Sequence, residues 1–309
     1  MTPTIPKISK LRRLRWHHFA VFVGPAAFLY VLFLLGPMFH SLWTSLLGRD
    51  GAFVGVGNYR ELLGGGEQTT RFWAALRHNV RFFAIHMIFQ NGIGLTLAAI
   101  LSSSALRFGH IYRTLIFLPA LLSPVIVGFI WKLLLNPIWN VRATLLEPLG
   151  LGRWARTPLL NDQDTVLDTI AFISVWQFTG IAMILFYTAL IRIPDSLIES
   201  ARIDGASAWR TFWHVRLPLI RPTIGVVTIL TFLGNFNSFD LVFTIKGADA
   251  GPDFASDILG TLYYRTSFGQ SGGADLTGGA TVGGAMFVLI LLVSLVYFAW
   301  QSRTSSYDF

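Results

Sequence analysis

Residues 199–222 read ESARIDGASAWRTFWHVRLPLIRP. The runs on either side, TIAFISVWQFTGIAMILFYTALI (169–191) and PTIGVVTILTFLGNF (222–236), carry no charge at all. From Arg192 to Arg221 there are eight charged residues. Each would cost about 2.5–3.5 kcal/mol at the centre of a bilayer, so burying them together would cost on the order of 20 kcal/mol. The charged segment therefore lies in water, and the flanking runs approach the length of about 20 apolar residues that a membrane helix needs. A long charged loop between two uncharged runs is the signature of an all-α, polytopic membrane protein.

The rest of the chain agrees. Of 309 residues, 53% are hydrophobic and only 13% charged, and mean hydropathy is +0.57. A water-soluble domain carries about 25% charged residues. The chain has no cysteine, which excludes disulfides, thiol nucleophiles and cysteine metal sites. Its net charge of +8 marks cytoplasmic loops in a protein of this kind, rather than a nucleic-acid footprint.

Six segments have the length and composition of spans: Phe19–Phe39, Phe82–Leu101, Thr114–Trp131, Thr169–Ile191, Pro222–Ile245 and Ala280–Trp300. The expected architecture is a basic N-terminus, 1–18, followed by one transmembrane domain, 19–309, with a cytoplasmic loop at 192–222 between helices four and five. An even number of spans puts both termini on one side. Lys7, Lys10, Arg12, Arg13 and Arg15 place that side in the cytoplasm, because basic residues are retained there. Most acids, among them Glu61, Asp249, Asp257 and Asp275, fall in the opposite loops. The first apolar run lacks a small-residue cleavage site and reads as an uncleaved span.

Within the loop, Pro194 stops the fourth span. Ser196 and Glu199 have the spacing of a capping box, which would start a short helix. Gly205 ends that helix, because glycine takes a left-handed conformation cheaply. Ser207 caps a second helix with Trp209, Phe212 and Trp213 on one face. Pro218 and Pro222 break the chain before the fifth span. From the residues alone, this is either a docking element or a hairpin dipping aromatics into the membrane surface.

The spelling resembles the cytoplasmic-loop signature of binding-protein-dependent, ATP-driven (ABC) importer permeases. The matching residues are Glu199, Ala201, Asp204, Gly205, Ala206, Phe212, Leu217, Pro218 and Pro222, with Ser200 where alanine is usual. The likeness extends over nearly the whole chain. FVGVGNYRELL (53–63) is similar to the family's lead-in to the second span, IYRTLIFLPALLSPVIVGFIWKLLLNP (111–137) to its third, and VWQFTGIAMILFYTALIRIPDSLIESARIDGA (175–206) to its carbohydrate branch.

The resemblance implies a non-catalytic permease subunit in the cell inner membrane. Its partners would be a dimer of ATP-binding subunits, a second, unlike permease and an extracytoplasmic sugar-binding protein. ATP and Mg²⁺ would sit on the partner, and the chain indeed has no phosphate loop of the G-x-x-x-x-G-K-[ST] kind. The loop would be a rigid coupling lever, contacting the ATP-binding subunit through Glu199, Ser200, Ala201, Asp204, Gly205, Ala206, Phe212 and Pro218. Glu199 also has a purely local reading, as a cap or a partner of Arg202.

Polar groups inside spans are costly and face a bundle interior or a wet cavity. Ser174 and Gln177 interrupt the fourth span; Asn235, Asn237 and Asp240 interrupt the fifth, beside Phe236. These six are the candidate solute path. Phe232, Phe236, Phe239 and Phe243 fall on one helical stripe, which suits either a sugar face or simple packing. His86 stands alone in mid-span, which argues against a metal site. Pro119 and Pro124 would kink the third span as a gate element or as a packing bend. Other readings remain: an importer for glycerol phosphate or a polyamine, a secondary transporter, for which no internal repeat is visible, or a membrane enzyme, for which no catalytic cluster is visible.

Overall fold

The computed structural model describes residues 21–102, 107–139, 141, 144, 147–150, 157–269 and 273–304. The basic segment 1–18 and the start of the first expected span lie outside these residues. Helices dominate the described chain, and five of them are long and apolar enough to cross a membrane. A bent pair, Gly109–Leu121 with Pro124–Leu134, makes a sixth when counted as one broken span.

In chain order, α1 is Gly24–Thr44 and α2 is Gly57–Gly64. α3, Gln68–Leu101, extends 14 residues beyond the expected second span. Its added N-terminal stretch contains Arg71, Arg77 and Arg81, so hydropathy alone could not include it. α4 is Gly109–Phe117 and α5 is Pro124–Leu134. α6, Val166–Leu190, is apolar all round. The loop carries α7, Asp195–Ile203, and α8, Ala208–Thr211. α9 is Arg221–Phe236, α10 is Phe239–Lys246, α11 is Leu259–Phe268 and α12 is Leu276–Thr304.

The third span is not one helix. After α4, Leu118–Leu121 tighten into a 3₁₀ turn, Leu122 and Ser123 are extended (ψ 142° and 135°), and α5 leaves at 92°. The cause is in the sequence. Pro119 and Pro124 each lack an N–H, and Ser123, preceding Pro124, avoids helical ψ, whereas Leu118 before Pro119 stays helical (ψ −44°). The fifth span also breaks, at Asn237 and Ser238. That break splits the phenylalanine stripe. Phe232 and Phe236 pack against each other in the core (4.7 Å between centroids). Phe239 and Phe243 instead gather around Tyr264.

α6 is the central post. At its middle, Gly180 lets the backbone of α4 approach. A side-chain carbon there would lie 2.5 Å from the Ile116 carbonyl oxygen and 2.7 Å from Phe117 Cα. Small residues at such crossings are how membrane helices pack closely without a hydrophobic driving force. At the bundle end away from the charged loop, polar ties hold the connections. Arg81 pairs with Asp168 at 2.6 Å. Arg49 pairs with Asp275 at 2.8 Å, and hydrogen bonding and charge from Asp275 raise the Arg49 pKa. Arg265 pairs with the buried Asp257 at 2.5 Å and also donates to the Ala248 carbonyl at 2.8 Å.

Candidate functional site

The charged loop forms two helices about one bend. α7 begins two residues earlier than a Ser196 cap allows. Pro194 is its N-cap (ψ 132°), Asp195 its first residue, and no side chain caps it. Proline fixes the entry, and Asp195 complements the positive end of the helix. The capping box at Ser196 and Glu199 is therefore not formed. Ser196 is inside the helix, where its carbonyl accepts from Ser200 Oγ at 2.8 Å.

The other end behaves as the sequence predicts. Gly205 has φ +77°. Its N–H donates to the Arg202 carbonyl at 3.0 Å, and the Ala206 N–H donates to the Ala201 carbonyl at 2.9 Å. These nested bonds are the Schellman motif, which closes the helix end on itself. Ser207 Oγ then accepts from the Arg210 N–H at 3.3 Å and caps α8. The helical path that starts with α8 does not stop at Pro218. A wide π-helical turn at Phe212–Arg216 absorbs the missing proline N–H, and the helix runs on through Leu217–Leu219. The break falls at Ile220 instead, and Pro222 occupies the first turn of α9.

The two helices have distinct inner and outer sides. Ile198 anchors α7 in a cluster with Leu190, Ile220 and Val227. Ile203 (85% exposed) and Trp209 (72%) project outward, with Trp213 packed edge-on to Trp209 at 5.4 Å. Glu199 is exposed and makes no ion pair among the described residues, so the local Arg202 pairing is absent. Asp204 is exposed; Ala201, Ala206, Phe212 and Pro218 are half-buried.

The candidate path residues do not all converge. A cleft of about 290 Å³ opens between α3, α6 and α9. Ser174 and Asn235 line it, together with His86, Gln90, Thr231 and Ser238. Its walls are otherwise apolar, including Phe178, Ile181 and Leu230. Gln177 is fully buried elsewhere, donating to the Leu122 carbonyl at 2.9 Å. It supports the break in the third span by meeting a carbonyl that the helix leaves free. Phe236 is core. Asn237 and Asp240 are exposed on the surface of the single chain.

Inside the cleft, His86 Nδ1 lies 2.8 Å from the Phe82 carbonyl oxygen. Its Nε2 lies 2.9 Å from Ser174 Oγ. Asn235 donates its amide to the Thr231 carbonyl at 2.6 Å, which leaves Oδ1 buried with no partner among the described residues. Such orphan acceptors are uncommon and call for an explanation. Nearby, Asn79 ties three elements, donating to the Asn235 carbonyl at 3.4 Å and accepting from the Leu259 N–H at 2.8 Å. His86, Gln90 and Thr231 have no place in the path read from the sequence. A visible signal was spacing: His86 and Gln90, and likewise Thr231 and Asn235, stand four apart on one helical face. No group of three His, Asp or Glu residues with metal-binding geometry occurs among the described residues.

Residues 90–306 match the family described as binding-protein-dependent transport system inner membrane component. The chain is 32% identical over 287 residues to the lactose transport system permease protein LacF of Rhizobium radiobacter, covering 90% of this chain and 91% of that one. It is 32% identical over 296 residues to the alpha-glucoside transport system permease protein AglF of Rhizobium meliloti (strain 1021), covering 93% and 82%. Its fold is similar to a chain in the crystal structure of a bacterial ABC transporter involved in import of the acidic polysaccharide alginate. The TM-score is 0.78 at 22% identity, covering 94% of this chain and 96% of that one.

Proposed function

Because this chain belongs to the binding-protein-dependent transport system inner membrane components, we propose that it is the transmembrane permease subunit of an ATP-driven, binding-protein-dependent sugar importer. Relatives are named for lactose, alpha-glucoside and arabinooligosaccharide transport, which favours a sugar over glycerol phosphate or a polyamine. The observation that carries the reading is the mid-span cleft itself, where Ser174, Asn235, His86, Gln90 and Thr231 gather among otherwise apolar walls. Polar groups at that depth face a bundle interior or a wet cavity, and these line a cavity.

The exposed polar residues of the fifth span support a second permease. Asp240 is exposed on a helix that crosses the membrane, and facing hydrocarbon near the centre it would cost about 2.5–3.5 kcal/mol. An unlike partner subunit covering that face, with a wet path between the two, removes the cost. The charged loop then lies in the cytoplasm with both termini. Glu199, Ile203 and Trp209 point away from the bundle, toward an ATP-binding subunit that holds ATP and Mg²⁺. The sugar arrives on an extracytoplasmic binding protein.

The test is uptake of lactose or an alpha-glucoside by the complete complex in proteoliposomes. Ser174→Ala and Asn235→Leu should lower uptake at least several-fold, with membrane insertion and basal ATP hydrolysis retained. Uptake that falls only in step with the amount of assembled complex would make both residues structural and overturn the path.

A further inference from the structure

The hydrogen-bond direction inside the cleft selects the kind of solute it accepts. This rests on reading the cleft as part of the solute path. The Phe82 carbonyl can only accept, so the imidazole proton of His86 sits on Nδ1, 2.8 Å away. The ring is 2% exposed and no carboxylate lines the cleft. An uncompensated charge there would be costly, so the imidazole is neutral. Nε2 is then an acceptor, and the 2.9 Å contact is Ser174 Oγ–H donating to it. The serine oxygen is left with lone pairs only.

The other hydroxyls are committed in the same way. Thr231 donates to the Val227 carbonyl at 2.8 Å or to Asn91 Oδ1 at 3.2 Å. Ser238 donates to the Gly234 carbonyl at 3.0 Å. Asn235 adds an unpartnered acceptor. The uncommitted donors are the amide of Gln90, which makes no hydrogen bond among the described residues, and the second amide proton of Asn235, whose Nδ2 is bonded only to the Thr231 carbonyl.

We infer that the cleft selects an uncharged solute that donates hydroxyl protons, and that His86 is the positioning residue that sets this preference by taking the Ser174 proton. An anion would meet the lone pairs of the serine and the threonine in an apolar cleft with no lysine or arginine on its walls. A polyamine could donate, but its charges would enter an apolar cleft with no carboxylate on its walls. A neutral polyhydroxyl solute meets neither obstacle, and the apolar walls suit the C–H faces of a sugar ring.

The test is saturation-transfer NMR on the purified, assembled complex without binding protein, offering lactose, a uronic-acid disaccharide and spermidine in competition. Lactose should bind and the other two should not displace it. His86→Leu frees the Ser174 proton to turn into the cleft. It should weaken lactose about two- to tenfold, the worth of one neutral hydrogen bond, and let the uronate compete. In His86→Gln the amide oxygen can again take the serine proton, so selectivity should return. That rescue, and the shift in preference, are readouts a merely structural role would not give. If uronate or spermidine binds wild type as well as lactose does, or if His86→Leu leaves the preference unchanged, the inference is wrong, while the path is judged separately by the uptake results. If Ser174→Ala and Asn235→Leu leave lactose uptake intact, the path itself fails and the inference with it.

Discussion

Replacing Gly205 tests whether the loop is a lever with a fixed bend. Its φ is +77°, yet a side-chain carbon built there meets nothing within 4 Å. Glycine is therefore required by backbone conformation and not by space within this chain. An ordinary L-residue pays roughly 1–2 kcal/mol to stay left-handed, asparagine less, and a β-branched residue more. One to two kcal/mol shifts the population of the bent loop about 5–30-fold. The alternative is to open the Schellman motif and give up the bonds at 3.0 and 2.9 Å, each worth about 1 kcal/mol. The bend should therefore loosen without unfolding the bundle. The assay is sugar imported per ATP hydrolysed in proteoliposomes, with amide exchange at Ala206 to report the motif. Coupling should rank Gly205→Asn above Gly205→Ala above Gly205→Val. Ala206 exchange should quicken in the reverse order. If alanine outperforms asparagine, size is the controlling quantity. A partner then approaches this Cα closely, and the backbone argument is refuted.

The remaining predictions concern stability and orientation. Asp257 and Arg265 form the most buried ion pair described, with side chains 3% and 11% exposed, so Asp257→Ala should destabilise by about 3–5 kcal/mol by stranding the guanidinium. Adding Arg265→Met should recover most of that in thermal unfolding of the detergent-solubilised protein, and a double variant no better than the single one would show that the pair is not the cause. Because the chain lacks cysteine, Asp249→Cys and Ala208→Cys, both at exposed positions, report topology directly. An impermeant thiol reagent outside the membrane should label the first and spare the second, and the reverse result would move the charged loop out of the cytoplasm.

Much of this architecture is legible in the chain because the physics is local. Uncharged runs must be in lipid, eight charges must be in water, and a glycine after a short amphipathic helix turns left-handed. What is not legible depends on contacts. Pro119 and Pro124 announce a break, but the 92° direction comes from the seat α4 finds at Gly180 and from Gln177 meeting the Leu122 carbonyl. α3 runs past its apolar portion because Phe72, Ala75 and Asn79 are buried, while its arginines hide the helix from a hydropathy reading. Ser196 and Glu199 have capping-box spacing, yet Pro194 and Asp195 start the helix first. Of six path residues, only Ser174 and Asn235 line the cleft. A polar residue in an apolar run signals that it must be satisfied, not where.

The loop and the cleft are joined by packing. Ile198 of α7 sits in one buried cluster with Leu190, Ile220, Val227 and Ala182. Val227 and Ala182 also line the cleft. A close-packed cluster transmits displacement because it has no free volume to absorb it. Ile220, at the break before α9, has φ −94° and ψ 7°, so α9 can change its angle at that point while remaining a helix. A pull on α7 and α8 would thus reach the cleft through Ile198 and Ile220 and shift the wall formed by α9, the helix that carries Asn235. The far half of the fifth span, α10, lies beyond the break at Asn237 and Ser238 and packs against α5 through Gly128 and Thr244. The cleft is walled by α3, α6 and α9 and by no residue of α10, so a modest tilt of α9 alone would change access to its polar groups without breaking the helices that hold them.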